Sequence, residues 1–317
     1  KDFAGETFPW AAAALSGPLH FYLVHGLVKA AYPNPVMGLL PVAFALPSLC
    51  ALMVLFKTTP SASPGRNARF AWFGGAALFF ITLIFPIQFD RQWITIGWAL
   101  EGAALCWLFR RVAHPGLRLV GVGLLVVAFA RLAVNPAVLS YHARTPVPIF
   151  NWYLYAYGLA AGCLFAGAAL LAPPRHLVFG KSAPPVLAAL GTILAFLLVN
   201  IEIADYFTPA GAPVVTLEFS GNLARDMSYS VAWALFALLL VSIGIARRLA
   251  PVRYAGIGLL SVTLLKLFLH DLSRLDALYR IGALVVVAIV AMLASFLYQR
   301  FLSPTDETDE KTTPPPL

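Results

Sequence analysis

Apolar residues fill the chain in ten long stretches, and charged residues gather in the shorter segments between them. An α-helix rises about 1.5 Å per residue, so about 20 apolar residues are enough to cross a hydrocarbon core of about 30 Å. The pattern therefore predicts ten transmembrane helices, over residues 8–30, 35–56, 68–88, 92–110, 117–134, 150–172, 185–206, 227–248, 252–271 and 277–301.

The positions of tryptophan, glycine and arginine residues repeat along the chain. Trp98-Ala99-Leu100 returns as Trp233-Ala234-Leu235, an offset of 135 positions. The same offset relates Arg118 to Arg253, Gly121 to Gly256, Gly123 to Gly258 and Arg131 to Lys266. Shared leucines prove little in a chain that is 60% hydrophobic, whereas matches of these residue types are hard to obtain by chance. The pattern indicates an internal repeat.

The repeat predicts the fold class and the organisation of the chain. Spans three to six return as spans seven to ten, and because four is even, both copies face the same way across the membrane. We predict an all-α polytopic transmembrane helical bundle of tandem parallel four-helix repeats. Its parts are two spans from an earlier unit (1–66), repeat A (67–183), repeat B (184–302) and a disordered cytoplasmic tail (303–317). Close helix packing is expected at Gly74, Gly75, Gly121, Gly123, Gly158, Gly162, Gly256 and Gly258.

The composition excludes a soluble fold and decides how the charge is interpreted. Mean hydropathy is +0.82 and only 11% of the residues are charged, so the apolar side chains need lipid as their solvent. The net charge of +8 does not indicate nucleic acid, because most basic residues lie at span ends on one face of the membrane. By the positive-inside rule, that face is cytoplasmic and both termini lie there.

No motif for a cofactor, a metal or a nucleophile stands in a suitable context. Cys50, Cys106 and Cys163 lie inside apolar spans without CxxC or Cys/His spacing, so we interpret them as packing residues. Walker A, GxSxG, HExxH and Rossmann patterns do not occur in a suitable context either. We therefore expect no metal and no cofactor, and the sequence leaves open whether the chain is an enzyme.

Several segments resemble one known family. They are WALFALLLVSIGIARRL, RYAGIGLLSVTLLKLFLHDLSRLDALYR and SFLYQRF in the last three spans, preceded by WALEGAALCWLFRR and PIFNWYLYAYG. Together they resemble the carboxyl-terminal part of the bacterial predicted membrane proteins called domain of unknown function 2339. The resemblance implies the bacterial inner membrane and a longer many-span polypeptide, of which this chain is the terminal portion. It carries over no activity and no catalytic residue.

Glu101 is the deepest ionisable residue of the predicted spans. It lies about ten residues into the fourth span, roughly at mid-bilayer, where the other copy has Phe236. Ionisable groups are costly in lipid and are usually paired, placed in a cavity or functional. Glu101 is therefore either a proton carrier or a hydrogen-bonded packing residue, and we expect any site to lie where the two copies disagree.

A second group of ionisable residues gathers at the outer ends of the spans. Lys266 and His270 share a helix face by their i,i+4 spacing. Together with Glu101, the candidate substrate-binding residues are Arg131, Glu202, Asp205, Lys266, His270, Arg274 and Arg280. His270 and Asp271 are the candidates for a catalytic acid and base. The alternative interpretation is a set of side chains and ion pairs that only anchor the helix ends.

Three functions from different classes fit these features. The first is a binding or translocation module for a lipid-linked or anionic envelope substrate, with an outer-facing polar cleft. The second is a membrane-embedded transferase or hydrolase of envelope lipid or glycan, and the third is a structural scaffold of a membrane complex. The outer loops 135–149 and 208–225 either cap the cleft or only cover the surface. The expected partners are membrane lipids and the rest of a longer chain or other membrane subunits.

Overall fold

The computed structural model is built almost entirely of α-helices. It describes residues 8–32, 36–60, 63, 65–89, 91–111, 114–142, 144, 147, 149–171, 173, 177–209, 211–217, 222–271 and 277–302. At residues 92, 111, 271, 277–280, 283, 284, 301 and 302, only the backbone is described.

Ten helices follow one another along the described residues. They are α1 (Phe8–Ala31), α2 (Leu39–Thr58), α3 (Arg66–Gln88), α4 (Arg91–Arg111), α5 (Pro115–Val134), α6 (Trp152–Leu170), α7 (Ala183–Phe207), α8 (Leu223–Ala246), α9 (Ala250–Lys266) and α10 (Ala277–Leu302). A 3-10 turn covers Pro136–Ser140, and a π-helical turn at Leu267–Asp271 directly follows α9. Two short antiparallel strands, β1 (Leu177–Val178) and β2 (Lys181–Ser182), precede α7. The predicted bounds lie within five residues of these, so the all-helical pattern is confirmed.

The lengths and compositions of the helices make a multi-pass membrane protein. Among the described residues, eight helices are long and apolar enough to cross a membrane, namely α1, α2, α3, α5, α6, α7, α8 and α9 with the turn after it. Helix α4 is less apolar because it carries Glu101 and three arginines, Arg91, Arg110 and Arg111. The apolar part of α10 covers Val285–Arg300 and is shorter.

The chain forms two compact units, which divide between Thr216 and Leu217. In unit 1, helices α4 to α7 enclose the largest apolar core, where Leu125, Leu164 and Leu194 are fully buried. Helix α7 packs against α6 and α5 within this unit. The predicted boundary between two four-helix repeats near residue 183 is therefore not a boundary between the compact units, and the four-helix repeat stays a prediction.

The α4–α5 pair of unit 1 and the α8–α9 pair of unit 2 are held by the same kind of close contact. A Cβ on Gly121 would lie 3.0 Å from the main-chain oxygen of Gly102, and a Cβ on Gly256 would lie 2.8 Å from that of Ala237. Because Gly121 and Gly256 have no side chain, the backbones of the two helices can approach each other this closely. In both pairs the contacting positions are related by the offset of 135. Close packing at Gly121 and Gly256 is thus confirmed.

The expectation of close packing is wrong for most of the other paired glycines. A Cβ added to Gly74, Gly75, Gly123, Gly162 or Gly258 would meet no heavy atom within 4 Å among the described residues. A Cβ on Gly158 would make only an ordinary contact of 3.7 Å with Leu198. A glycine pattern in the sequence does not distinguish a helix contact from an open surface, because both faces of a helix can carry small residues.

Candidate functional site

Two predicted binding residues, Glu202 and Asp205, meet in the last turn of α7 in unit 1. Asn151, directly before α6, bridges them, because its Nδ2 donates to Glu202 Oε2 at 2.9 Å and to Asp205 Oδ2 at 3.1 Å. The Oδ1 atom of Asn151 accepts from the N–H of Leu154 at 2.9 Å, so the same residue caps α6. With Arg144, these residues form what we call the Arg144 cluster (Arg144, Asn151, Glu202, Asp205).

Arg144 binds the other oxygen of Asp205. Its Nε lies 2.6 Å from Asp205 Oδ1, and both side chains are largely buried. Its Nη1 and Nη2 atoms donate to four main-chain oxygens where α7 ends, at Asp205, Thr208, Pro209 and Ala212. A guanidinium group has five N–H donors, and these contacts use all five. Arg144 therefore joins the two long loops of unit 1 and has no donor left for a substrate anion.

Glu202 is the member of the Arg144 cluster that is not fully bonded. Its Oε1 atom is buried and accepts no hydrogen bond from the described residues. An unsatisfied buried acceptor costs about 1–3 kcal/mol. A hydrogen bond donated to this oxygen by water or by a ligand would therefore stabilise the cluster more than one donated to any of its other atoms.

Arg131 lies near the end of α5 and pairs with no carboxylate in the described part of the chain. Its Nη2 donates to the main-chain oxygen of Arg91 at 3.1 Å, and its guanidinium carbon lies 5.4 Å from the centre of the Tyr141 ring. The first contact ties the end of α5 to the start of α4. The predicted role of Arg131 in substrate binding gains no support from these contacts and stays a prediction.

Glu101 lies away from the Arg144 cluster, in the middle of α4, where it faces α3. Thr82 Oγ1 lies 2.7 Å from Glu101 Oε1 and 2.9 Å from the main-chain oxygen of Leu78, and its single hydrogen serves one of these two acceptors at a time. The Glu101 side chain is buried, and its Oε2 accepts no hydrogen bond from the described residues. The bond to Thr82 fits a packing residue that ties α4 to α3, while proton transport at Glu101 stays a prediction.

In unit 2, Lys266 and His270 converge on the first turns of α8. Lys266 Nζ donates to the main-chain oxygen of Asp226 at 3.1 Å and to Ser230 Oγ at 2.8 Å. His270 Nε2 lies 3.7 Å from Asp226 Oδ2, which makes an ion pair when the imidazole is protonated. We call this group the Lys266 cluster (Asp226, Ser230, Lys266, His270).

An apolar cavity of about 340 Å³ opens beside the Lys266 cluster, between α8, α9 and α10. Its walls are aliphatic, with Val231, Leu260 and Val286 among them. Of the described lining residues, only Ser230 and Thr263 carry a hydroxyl group. The Thr263 hydroxyl donates to the main-chain oxygen of Leu259 at 2.7 Å, within its own helix. The Ser230 hydroxyl likewise donates to the main-chain oxygen of Asp226 at 3.3 Å, but it also accepts from Lys266, so it is the place where the cavity meets a charged group.

The remaining candidates lie outside what the structure describes. Arg274 falls outside the described residues, and at Asp271 and Arg280 only the backbone is described. The pair of His270 and Asp271 as acid and base, and a binding role for Arg274 and Arg280, stay predictions.

Sequence reasoning missed several residues that complete these sites. Arg144 lies in the predicted outer loop 135–149 and Asn151 in the predicted span 150–172. Neither was predicted as a site residue, and the same holds for Thr82, Asp226 and Ser230. The repeat contains a signal for Asp226, because it stands 135 positions after Arg91 and Lys266 stands 135 positions after Arg131. For Arg144 there is no such signal, since most of its partners are main-chain oxygens of a distant loop.

Comparisons with known proteins give one match. A family model described as "Predicted membrane protein (DUF2339)" matches residues 109–301, which is more than half of the chain. No curated protein and no solved structure matches the chain.

Proposed function

The chain belongs to the family of predicted membrane proteins of unknown function, DUF2339, and we propose that it is a membrane-embedded binding or translocation module for an anionic or lipid-linked envelope substrate. The observation that carries the proposal is the apolar cavity of unit 2 with the Lys266 cluster beside it. The cavity accepts the hydrocarbon chain of the substrate, and the cluster attracts its anionic headgroup.

The cavity has the size and the lining that an acyl chain needs. Its volume of about 340 Å³ falls in the range of about 300–1,000 Å³ that is typical of small-molecule sites. Its walls come from three helices and are aliphatic at Val231, Leu260, Leu264 and Val286. A hydrocarbon chain in this space makes dispersion contacts with all three helices and leaves no polar group of the cavity wall unsatisfied.

The polar end of the cavity favours the binding of an anionic headgroup. Lys266 places its ammonium group 2.8 Å from Ser230 Oγ, and Ser230 lines the cavity. An ammonium group held at a fixed place near the lipid boundary attracts phosphate, as basic residues at span ends commonly do. The position equivalent to Ser230 in unit 1 is Thr95, and both hydroxyl residues are buried. The two copies differ beside it, because Asp226 and His270 stand where unit 1 has Arg91 and Asn135.

The proposed membrane topology follows from the distribution of basic residues and from the repeat. We infer ten crossings of the bacterial inner membrane with both termini in the cytoplasm, from the excess of basic residues at one set of span ends. The end of α9 then lies at the outer face, where an envelope substrate is reached. The proposal includes the tandem parallel four-helix repeats, 67–183 and 184–302. It also includes membrane lipids and further membrane segments or subunits as partners.

A membrane-embedded transferase or hydrolase is the second candidate. The observation in its favour is His270 Nε2 at 3.7 Å from Asp226 Oδ2, since a carboxylate that orients an imidazole is a common acid–base arrangement. If this candidate is right, the Asp226→Asn variant still binds the lipid substrate but no longer converts it to product. A structural scaffold of a membrane complex needs neither the cavity nor the cluster.

Photolabelling of the cavity tests the leading proposal. The full chain is reconstituted in phosphatidylcholine nanodiscs that contain a minor fraction of phosphatidylglycerol with a diazirine in one acyl chain, and labelled residues are mapped by mass spectrometry. We expect labels on cavity residues such as Leu260, Leu264 and Val286. The Ala234→Trp variant, which fills the cavity, should lose these labels.

Matched variants make this test specific. Leu235→Trp introduces the same side chain one position further along, on an exposed face of α8, and should keep the labels. Lys266→Gln should lower labelling by phosphatidylglycerol, whereas Lys29→Gln at the exposed end of α1 should not. Equal labelling of the cavity in the Ala234→Trp and Leu235→Trp variants would contradict the proposal and favour a scaffold.

A further inference from the structure

Unit 1 contains a second, larger cavity that the proposed function does not use. It has a volume of about 700 Å³ and lies between the first half of α3 and the start of α5, next to Phe56 of α2. We call it the α3–α5 groove. Both α3 and α5 pack against α4, and the groove is the space between them.

Polar and apolar residues are separated along this groove. Arg66, Asn67 and His114 line one end, where α3 begins and where the chain enters α5. Phe70, Gly75 and Leu78 line the rest on the α3 side. Twelve residues separate Arg66 from Leu78 on α3, which is about 18 Å of helix at a rise of 1.5 Å per residue. That length matches one headgroup plus half of a hydrocarbon core of about 30 Å.

The glycines of α3 keep the groove open. A Cβ added to Gly74 or Gly75 would meet no heavy atom within 4 Å among the described residues. With Ala71 and Leu78, they form one stripe of the helix at i, i+3, i+4 and i+7 spacing. The stripe borders the cavity, so the small side chains leave room for a ligand and do not serve a helix contact.

The polar end of the groove carries a positive charge that is held in place. Arg66 Nε donates to the main-chain oxygen of Thr59 at 3.3 Å, and its guanidinium carbon lies 4.7 Å from the centre of the Phe70 ring. These contacts fix the group, while its Nη atoms have no partner among the described residues. The described lining contains no acidic residue that would neutralise Arg66.

His114 adds a neutral donor beside this charge. Its Nδ1 accepts from the N–H of Gly116 at 3.2 Å, so the ring hydrogen is on Nε2, which remains able to donate. The first turns of α3 and α5 also add their partial positive charge at the same end. Guanidinium, imidazole and helix ends together suit a phosphate, which accepts several charge-assisted hydrogen bonds.

We propose that the α3–α5 groove binds one anionic phospholipid of the membrane, with the phosphate at Arg66 and His114 and an acyl chain along Gly74, Gly75 and Leu78. The apolar part of the groove selects a lipid over a soluble anion, because its lining gains dispersion contacts only from a hydrocarbon chain. The site belongs to unit 1 alone and does not depend on the cavity of unit 2.

Native mass spectrometry of the full chain in detergent tests this proposal. The protein is incubated with phosphatidylglycerol or with phosphatidylcholine, and the retained lipid is counted. We expect phosphatidylglycerol to be retained preferentially. The Arg66→Gln variant should retain about tenfold less of it, because a charge-assisted hydrogen bond is lost. The Arg110→Gln variant, which removes an exposed arginine at the end of α4, should behave like the unmodified chain.

A second pair of variants separates the site from folding effects. Gly75→Leu fills the groove, whereas Gly162→Leu adds the same side chain to an exposed glycine of α6 that also faces open space. We expect loss of retained phosphatidylglycerol only for Gly75→Leu, with both variants folded. Equal retention of both lipids, unchanged retention in Arg66→Gln, or displacement of the lipid by inorganic phosphate would overturn the proposal. Both pairs of variants are also measured in the Ala234→Trp background, which removes the lipid proposed for the unit 2 cavity, so that the remaining phosphatidylglycerol reports the α3–α5 groove alone.

Discussion

Lys266 ties the end of α9 to the start of α8 by donating to the main-chain oxygen of Asp226 at 3.1 Å. Arg131 makes the equivalent contact in unit 1, with the main-chain oxygen of Arg91 at 3.1 Å. Both donors and both acceptors are related by the offset of 135 positions. A cation at this position therefore joins the ends of the helix pair in each unit. The described side chains around it differ between the units, since Asp226 of unit 2 stands where unit 1 has Arg91.

The first prediction separates this tie from lipid binding. Arg131→Gln and Lys266→Gln should each lower the free energy of unfolding by about 1–3 kcal/mol, because each removes a charged hydrogen-bond donor. Thermal unfolding in detergent measures the effect. Only Lys266→Gln should also lower labelling of the unit 2 cavity by phosphatidylglycerol. An equal loss of labelling in Arg131→Gln would indicate that the loss comes from stability and not from the site.

The second prediction concerns the close glycine contacts. Gly121→Ala and Gly256→Ala should destabilise the chain by about 1–3 kcal/mol, because the new methyl group meets a main-chain oxygen of the neighbouring helix. Gly123→Ala and Gly258→Ala face open space and should stabilise it by up to about 1 kcal/mol through helix propensity. Midpoints of thermal unfolding of the four variants provide the comparison. If Gly123→Ala were as damaging as Gly121→Ala, the assigned helix contact would be wrong.

The third prediction concerns Arg144, whose guanidinium joins the two long loops of unit 1. Arg144→Gln leaves the buried Asp205 without its cation and should cost about 3–5 kcal/mol. Arg144→Lys keeps the charge but cannot make five hydrogen bonds, so its loss should be smaller. Hydrogen exchange of residues 211–217 reports the effect directly, and we expect faster exchange in both variants. Unchanged exchange in Arg144→Gln would show that the loop is held by other contacts.

The fourth prediction concerns Glu101 and Thr82. Thr82→Val removes the donor to Glu101 and should cost about 1 kcal/mol. Glu101→Gln keeps an oxygen that can accept from Thr82, so thermal stability should change by less than about 0.5 kcal/mol by the same reasoning. A much larger loss in Glu101→Gln would mean that the carboxyl group binds something besides Thr82, as a carrier role requires.

The sequence predicted the helices well because lipid imposes a minimum length on each apolar stretch. It also predicted the close approach at Gly121 and Gly256, since both copies keep those glycines. Gly74 and Gly75 were assigned to the same role, yet they border the α3–α5 groove. Residue type alone does not reveal which face of a helix is covered.

The candidate sites were predicted only in part. Glu202 and Asp205 are close because three positions on a helix place them on one face, and Lys266 and His270 follow the same logic. Their partners Asn151, Arg144 and Asp226 come from other helices and loops, so spacing within a helix could not identify them. Tertiary packing decides which distant polar groups meet.

The central claim is that the cavity between α8, α9 and α10 holds the chain of an anionic lipid whose headgroup lies at Lys266. A cryo-electron microscopy structure of the full chain in phosphatidylglycerol nanodiscs, with a bound antibody fragment to aid alignment, tests it most directly. The account predicts elongated density between Val231, Leu264 and Val286 that ends in a headgroup near Lys266 and Ser230. A cavity that is closed by repacked side chains, or that holds no density beside an ordered Lys266, would contradict it.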